Sequence, residues 1–135
     1  MTATKQKNWR EHVVVVIAVL TIVAGGGQAL LSSTALSTMG IANPDSSTRL
    51  FFLLLSLLIL LFGMLLLSEG LRPSADRRVL FWTGVQKLVA ALVLLVGVIE
   101  QTLLSAVVGV VIYDGLCGLF LLLHWFRFRR TLNTA

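Results

Sequence analysis

The run LFFLLLSLLILLFGMLLL, residues 50–67, places 18 consecutive positions in the chain without a single charge. An apolar stretch of that length reads as a bilayer-crossing helix, because about 20 residues rising 1.5 Å each cover the hydrocarbon core. A lone strand is excluded, since its amides and carbonyls would stay unpaired in lipid. Three further runs of similar length accompany it. Together they predict spans at about 12–31, 50–68, 79–99 and 103–126 within a single integral membrane domain, residues 1–135. The expected fold is all-α, a four-helix transmembrane bundle.

Composition agrees. Of the 135 residues, 57% are hydrophobic and 13% charged, about half the charged share of a soluble domain. The net charge of +5 does not point to nucleic acid, because the basic residues sit at the ends of apolar runs rather than along one face. Their placement is a topology signal. Lys5, Lys7 and Arg10 precede the first span, Arg72, Arg77 and Arg78 lie between the second and third, and Arg127, Arg129 and Arg130 follow the fourth. In a four-span chain these nine share one side, against Arg49 on the other, so both termini are expected in the cytoplasm. Trp9, Trp82 and Trp125 fall at the same boundary, where indole rings favour the headgroup layer.

The connections differ in kind. Ser68 to Asp76 contains Gly70 and Pro73 and is expected as a short turn. Gly97 to Thr102 is tighter still, making spans three and four antiparallel neighbours. Ser32 to Thr48 is longer and mixes polar residues with Leu36, Met39 and Ile41, so part of it is expected in the interface. Gly25-Gly26-Gly27 reads as a weakened outer half of span one that admits a close neighbour. The basic leader and apolar centre of that span also fit a cleavable secretory signal.

Lys87 and Asp114 carry the chemistry. Each interrupts a bilayer-length apolar run, where a lone charge costs several kcal/mol and therefore needs a partner. Lys87 lies eight residues beyond Val79 and Asp114 eleven before Trp125, or about 12 and 16 Å from the same edge. Depths one helical turn apart on adjoining spans make an intramembrane ion pair the natural expectation. Gly84 and Ala91 thin span three around Lys87, and Ser105, Gly109, Gly115 and Gly118 thin span four around Asp114. Snorkelling of Lys87 toward Glu69 is the competing arrangement. Gln86, Tyr113 and Gln28 are candidates to extend a polar track. The ordinary role of such a pair is to fix register; the functional one is an ion or proton relay, or a polar ligand held at mid-depth.

Other residues carry less. The single cysteine, Cys117, excludes an internal disulfide and reads as a small buried side chain. His12 and His124 share the cytoplasmic edge and resemble a haem-ligating pair only in number, without a supporting motif. No metal-spaced cluster, phosphate loop or nucleophile set appears, so no cofactor and no enzymatic activity are expected.

The segments STALSTMGI (33–41), GLRPSADRR (70–78), QKLVAALVLL (86–95) and YDGLCGLFLLL (113–123) resemble, as a layout, small four-span bacterial membrane proteins of DoxX-like type. The resemblance runs from Ala35 onward, and Gly25-Gly26-Gly27 departs from it. It implies a recurring Lys in span three and Asp in span four, falling on Lys87 and Asp114, and no defined activity. The expected role is a non-enzymatic accessory or assembly component, in contact with the lipid bilayer and a partner membrane protein or further copies of itself. The alternative is a small oligomeric transporter or ion- or proton-conducting protein built on Lys87 and Asp114.

Overall fold

The computed structural model describes residues 2–73 and 77–132, with side chains from 9 to 73 and 77 to 130. Lys5, Lys7 and the Asp76 end of the second connection therefore lie outside the side chains described. Among the described residues helices are the only regular structure, with no strand. The elements are α1 (Thr2–Leu30), α2 (Ser32–Thr38), α3 (Ser46–Leu71), α4 (Arg78–Ile99), a 3-10 turn (Ser105–Val107) and α5 (Val108–Leu132). Four helices are long and apolar enough to cross a membrane: Trp9–Leu30, Ser46–Leu71, Arg78–Ile99 and Ser105–Arg130. The first and last helices run past their apolar segments into the charged ends, because nothing there breaks a helix.

Two tight pairs build the bundle. α1 lies along α3 and α4 along α5, whereas contact between the pairs is sparse. Small residues explain the closeness within each pair. Ser56, Gly63 and Gly70 repeat every seven positions on α3 and are all buried. A Cβ at Gly63 would lie 2.8 Å from Ile22 N, and one at Gly25 would lie 2.5 Å from Leu60 N. Backbone meets backbone there, which only glycine permits. Gly25 is thus the working member of the triple glycine; at Gly27 a Cβ would meet nothing within 4 Å.

In the second pair Gly84 and Gly118 face each other, each with a hypothetical Cβ about 3 Å from the other's carbonyl oxygen. Gly109 and Gly115 have open space instead and Ser105 is exposed, so the expected thinning of span four is confined to Gly118. A core of Val14, Ile17, Ala18, Leu66, Leu80, Cys117 and Leu121 draws on all four long helices and joins the pairs.

The ends are closed differently. Residues 32–41 form α2 and a glycine-terminated cap: Ile41 N donates to Leu36 O and Gly40 N to Ser37 O, with Gly40 at φ 101°. This double bond is the Schellman arrangement, and its Leu36–Ile41 ends are apolar. The cap packs on the opposite turn, where Leu104 N donates to Met39 O at 3.1 Å. The α4–α5 connection is tight because Gly97 O accepts from Thr102 N, Thr102 Oγ1 and Leu103 N. Gln101, at φ 57°, supplies the left-handed residue that reverses the chain.

Candidate functional site

Lys87 and Asp114 are brought together. Lys87 Nζ donates to Asp114 Oδ1 at 2.6 Å, across the α4–α5 seam just past the Gly84–Gly118 crossing. Lys87 is 3% exposed, and the Asp114 side chain is 16% exposed. The glycine contact holds the helices close enough for a direct bond, and the bond neutralises two charges that would each be costly in hydrocarbon. Lys87 Nζ also lies 5.1 Å from the centroid of the Tyr113 ring, within cation–π range.

Glu69, the alternative partner, is buried on α3 and the Lys87 amine is committed to Asp114 instead. Of the proposed polar track, Tyr113 adjoins the pair. The Tyr113 hydroxyl and Gln86 Oε1 are buried with no hydrogen-bond partner among the described residues, as is Thr83 Oγ1 one turn from Lys87. Gln28 is half-buried near the far end of α1.

A second ionic cluster stands at the Trp-rich end. Arg77 Nη1 pairs with Glu11 Oε1 at 2.7 Å and donates to His124 Nε2 at 3.0 Å. Its guanidinium lies 4.6 Å from the Phe128 ring centroid. Arg77 is buried and precedes α4 in the left-handed region, φ 52° and ψ 35°. That backbone conformation costs about 1 kcal/mol or more for a residue with a Cβ and persists only where its surroundings enforce it. Here three elements do so: α1 through Glu11, α5 through His124 and Phe128, and α4 through its own start.

Sequence reasoning counted Arg77 only as a topology charge and passed over Glu11. The available signal was weak: an acidic residue inside a basic leader, with a His at the matching depth of span four. His12 is exposed on α1 while His124 is buried against Arg77, so the two differ in environment as well as in helix.

Aromatic rings surround this end. Trp9 meets Phe120 edge-on at 6.3 Å, Phe120 stacks on His124 at 6.1 Å, and Phe81 contacts Trp125 at 4.7 Å. Between α1 and α5 they leave a cleft of about 230 Å³ lined by Trp9, Arg10, Phe120, Leu123, His124 and Arg127. Comparison with known protein families, curated proteins and solved structures finds no match for this chain.

Proposed function

We propose that the protein is a non-enzymatic component of a bacterial inner membrane, an accessory or assembly subunit with both termini in the cytoplasm. One observation carries the reading: the two charges at mid-depth satisfy each other inside the fold, at 2.6 Å. The outer surfaces are left to apolar side chains, among them Leu54, Leu58, Leu61 and Leu65 on α3 and Leu92, Val93 and Val96 on α4. Such faces suit lipid or a neighbouring membrane helix. The nine-to-one distribution of basic residues supports the orientation. The resemblance of the sequence layout to DoxX-like proteins is compatible with this role, since it implies no defined activity.

A small oligomeric ion- or proton-conducting protein is the second reading. It draws on the buried Thr83, Gln86 and Tyr113 oxygens on the two helices that carry the pair, which lack hydrogen-bond partners among the described residues and are sites where water bridges would complete a relay.

Exchanging the charges separates the two. For the accessory role, Lys87→Asp alone lowers folded yield severalfold, Lys87→Asp with Asp114→Lys restores most of it, and a partner protein co-purifies stoichiometrically in mild detergent. Proton flux into liposomes that depends on pH and disappears in a well-folded Asp114→Asn variant would overturn that role in favour of conduction.

A further inference from the structure

The attachment at the Trp-rich end turns on one lone pair. A guanidinium can only donate, so the 3.0 Å contact from Arg77 Nη1 makes His124 Nε2 the acceptor and places the hydrogen of the neutral ring on Nδ1. Nε2 is then the only basic atom of that ring. A proton and Arg77 compete for it, and either one excludes the other.

A protonated ring would be poorly received if the cluster stayed shut. The charged groups acting on it are Arg77 ahead of α4, Glu11 and Arg10 on α1, and Arg127 on α5, three cations against one carboxylate. Glu11 Oε1 lies 2.7 Å from the same Nη1 that meets the ring, so it already serves Arg77. Arg77 is 5% exposed and His124 9%, which leaves little water between them to screen like charges. Arg77 also keeps its left-handed backbone, φ 52°, only while its neighbours enforce it, and loss of the ring lets it relax.

The opposite end of the molecule behaves differently. There the helix pairs are tied by Leu104 N donating to Met39 O, a bond with no titratable group. Acid therefore acts on one end tie and spares the other. At the responsive end α1 and α5 already stand apart over the cleft walled by Trp9, Phe120, Leu123 and His124.

We propose that protonation of His124 unfastens α1 from the α4–α5 pair at the Trp-rich end, so that the cleft widens while the Met39–Leu104 end serves as the hinge. The proton adds to Nε2 once Arg77 has moved off, so the parted form holds one proton more than the joined form. Attachment is therefore constant above the ordinary imidazole value of about 6.5 and weakens as pH falls below it, by at most about tenfold per pH unit. The mid-depth ion pair takes no part, and the latch is independent of the role proposed above.

The test measures the gap directly. Nitroxide labels are placed on exposed positions of α1 and α4 through His12→Cys and Trp82→Cys, with Cys117→Ala removing the native thiol. His12→Cys also leaves His124 as the single imidazole. Distances are read by pulsed electron resonance in neutral detergent from about pH 7.5 to about 5.5, above the ordinary carboxylate range. One distance is expected at the upper limit, and the share of a longer one should rise severalfold below about pH 6.5. Adding His124→Gln, whose amide oxygen accepts from Arg77 at every pH, should hold the shorter distance throughout. In the otherwise unaltered His12→Gln chain, the ring ¹⁵N resonances at about pH 7.5 should be those of the Nδ1-protonated form. A distance indifferent to pH, a lengthening that survives His124→Gln, or an Nε2-protonated ring would each overturn the proposal, the last without any substitution in the cluster.

Discussion

Asp45 caps α3, and a single carboxylate there does two things at once. Its Oδ1 accepts from Thr48 N at 2.8 Å, satisfying an amide that the first helical turn leaves unpaired. The Thr48 side chain first, and then its amide, favour the charged form and hold the carboxyl below its ordinary 3.8. A carboxyl depressed by folding contributes stability that is present above the ordinary value and is lost as pH falls through the folded one. The Thr48 amide proton should therefore titrate in NMR with a midpoint below 3.8, and Asp45→Asn should abolish that titration while keeping the cap. A midpoint at or above the ordinary value would contradict the assignment. Residues of this kind are hard to single out beforehand, because Asp before Ser-Ser-Thr fits a loop as well as a cap. Lys87 and Asp114 are the opposite case: a charge inside an apolar run needs a partner whatever its role, so their positions were legible from the runs around them. Arg77 was legible only as a charge, since an arginine at a span boundary is already accounted for by orientation. Its partners come from two other helices, and spacing along one helix carries no information about them.

At the scale of elements, the four long helices follow directly from run length and from where basic residues interrupt the apolar pattern. Which face of each helix meets its neighbour was only half legible. Gly84 and Gly118 could be guessed because they bracket the charged pair, but the heptad of Ser56, Gly63 and Gly70 is hidden in a leucine-rich run that looks uniform. Leu53, Leu57 and Leu61 are exposed as an outer face requires, while Ser56, Gly63 and Gly70 turn inward to α1. α2 was missed as a helix because seven residues of Ser, Thr, Ala and Leu give too short a pattern; its capping bonds and the docking on Leu104 establish it. The glycine geometry gives a sharp contrast between neighbours in one helix. Gly25→Leu forces α1 from α3, since its Cβ alone would sit 2.5 Å from Leu60 N. Gly27→Ala meets open space and gains up to about 1 kcal/mol of helix propensity. Denaturation midpoints in mixed micelles should fall for the first and hold or rise for the second. Equal falls would mean that α1 and α3 are not seated as described.

For the whole molecule, the two helix pairs are joined by the shared core, by the Glu11–Arg77–His124 cluster at one end and by the Met39–Leu104 hydrogen bond at the other. Neither end tie was legible in the sequence, because each links segments distant along the chain through one or two bonds. Cys117 lies in that core among residues of all four long helices. Since it is the only cysteine, the unaltered chain carries its own reporter of separation. Separation of the halves would expose the thiol more fully to a membrane-permeant maleimide, so the rate of alkylation is expected to rise with that opening. Glu11→Gln should quicken it roughly tenfold, the change given by about 1.4 kcal/mol of lost attachment. A rate untouched by that substitution would mean that the Arg77 cluster bears none of the load.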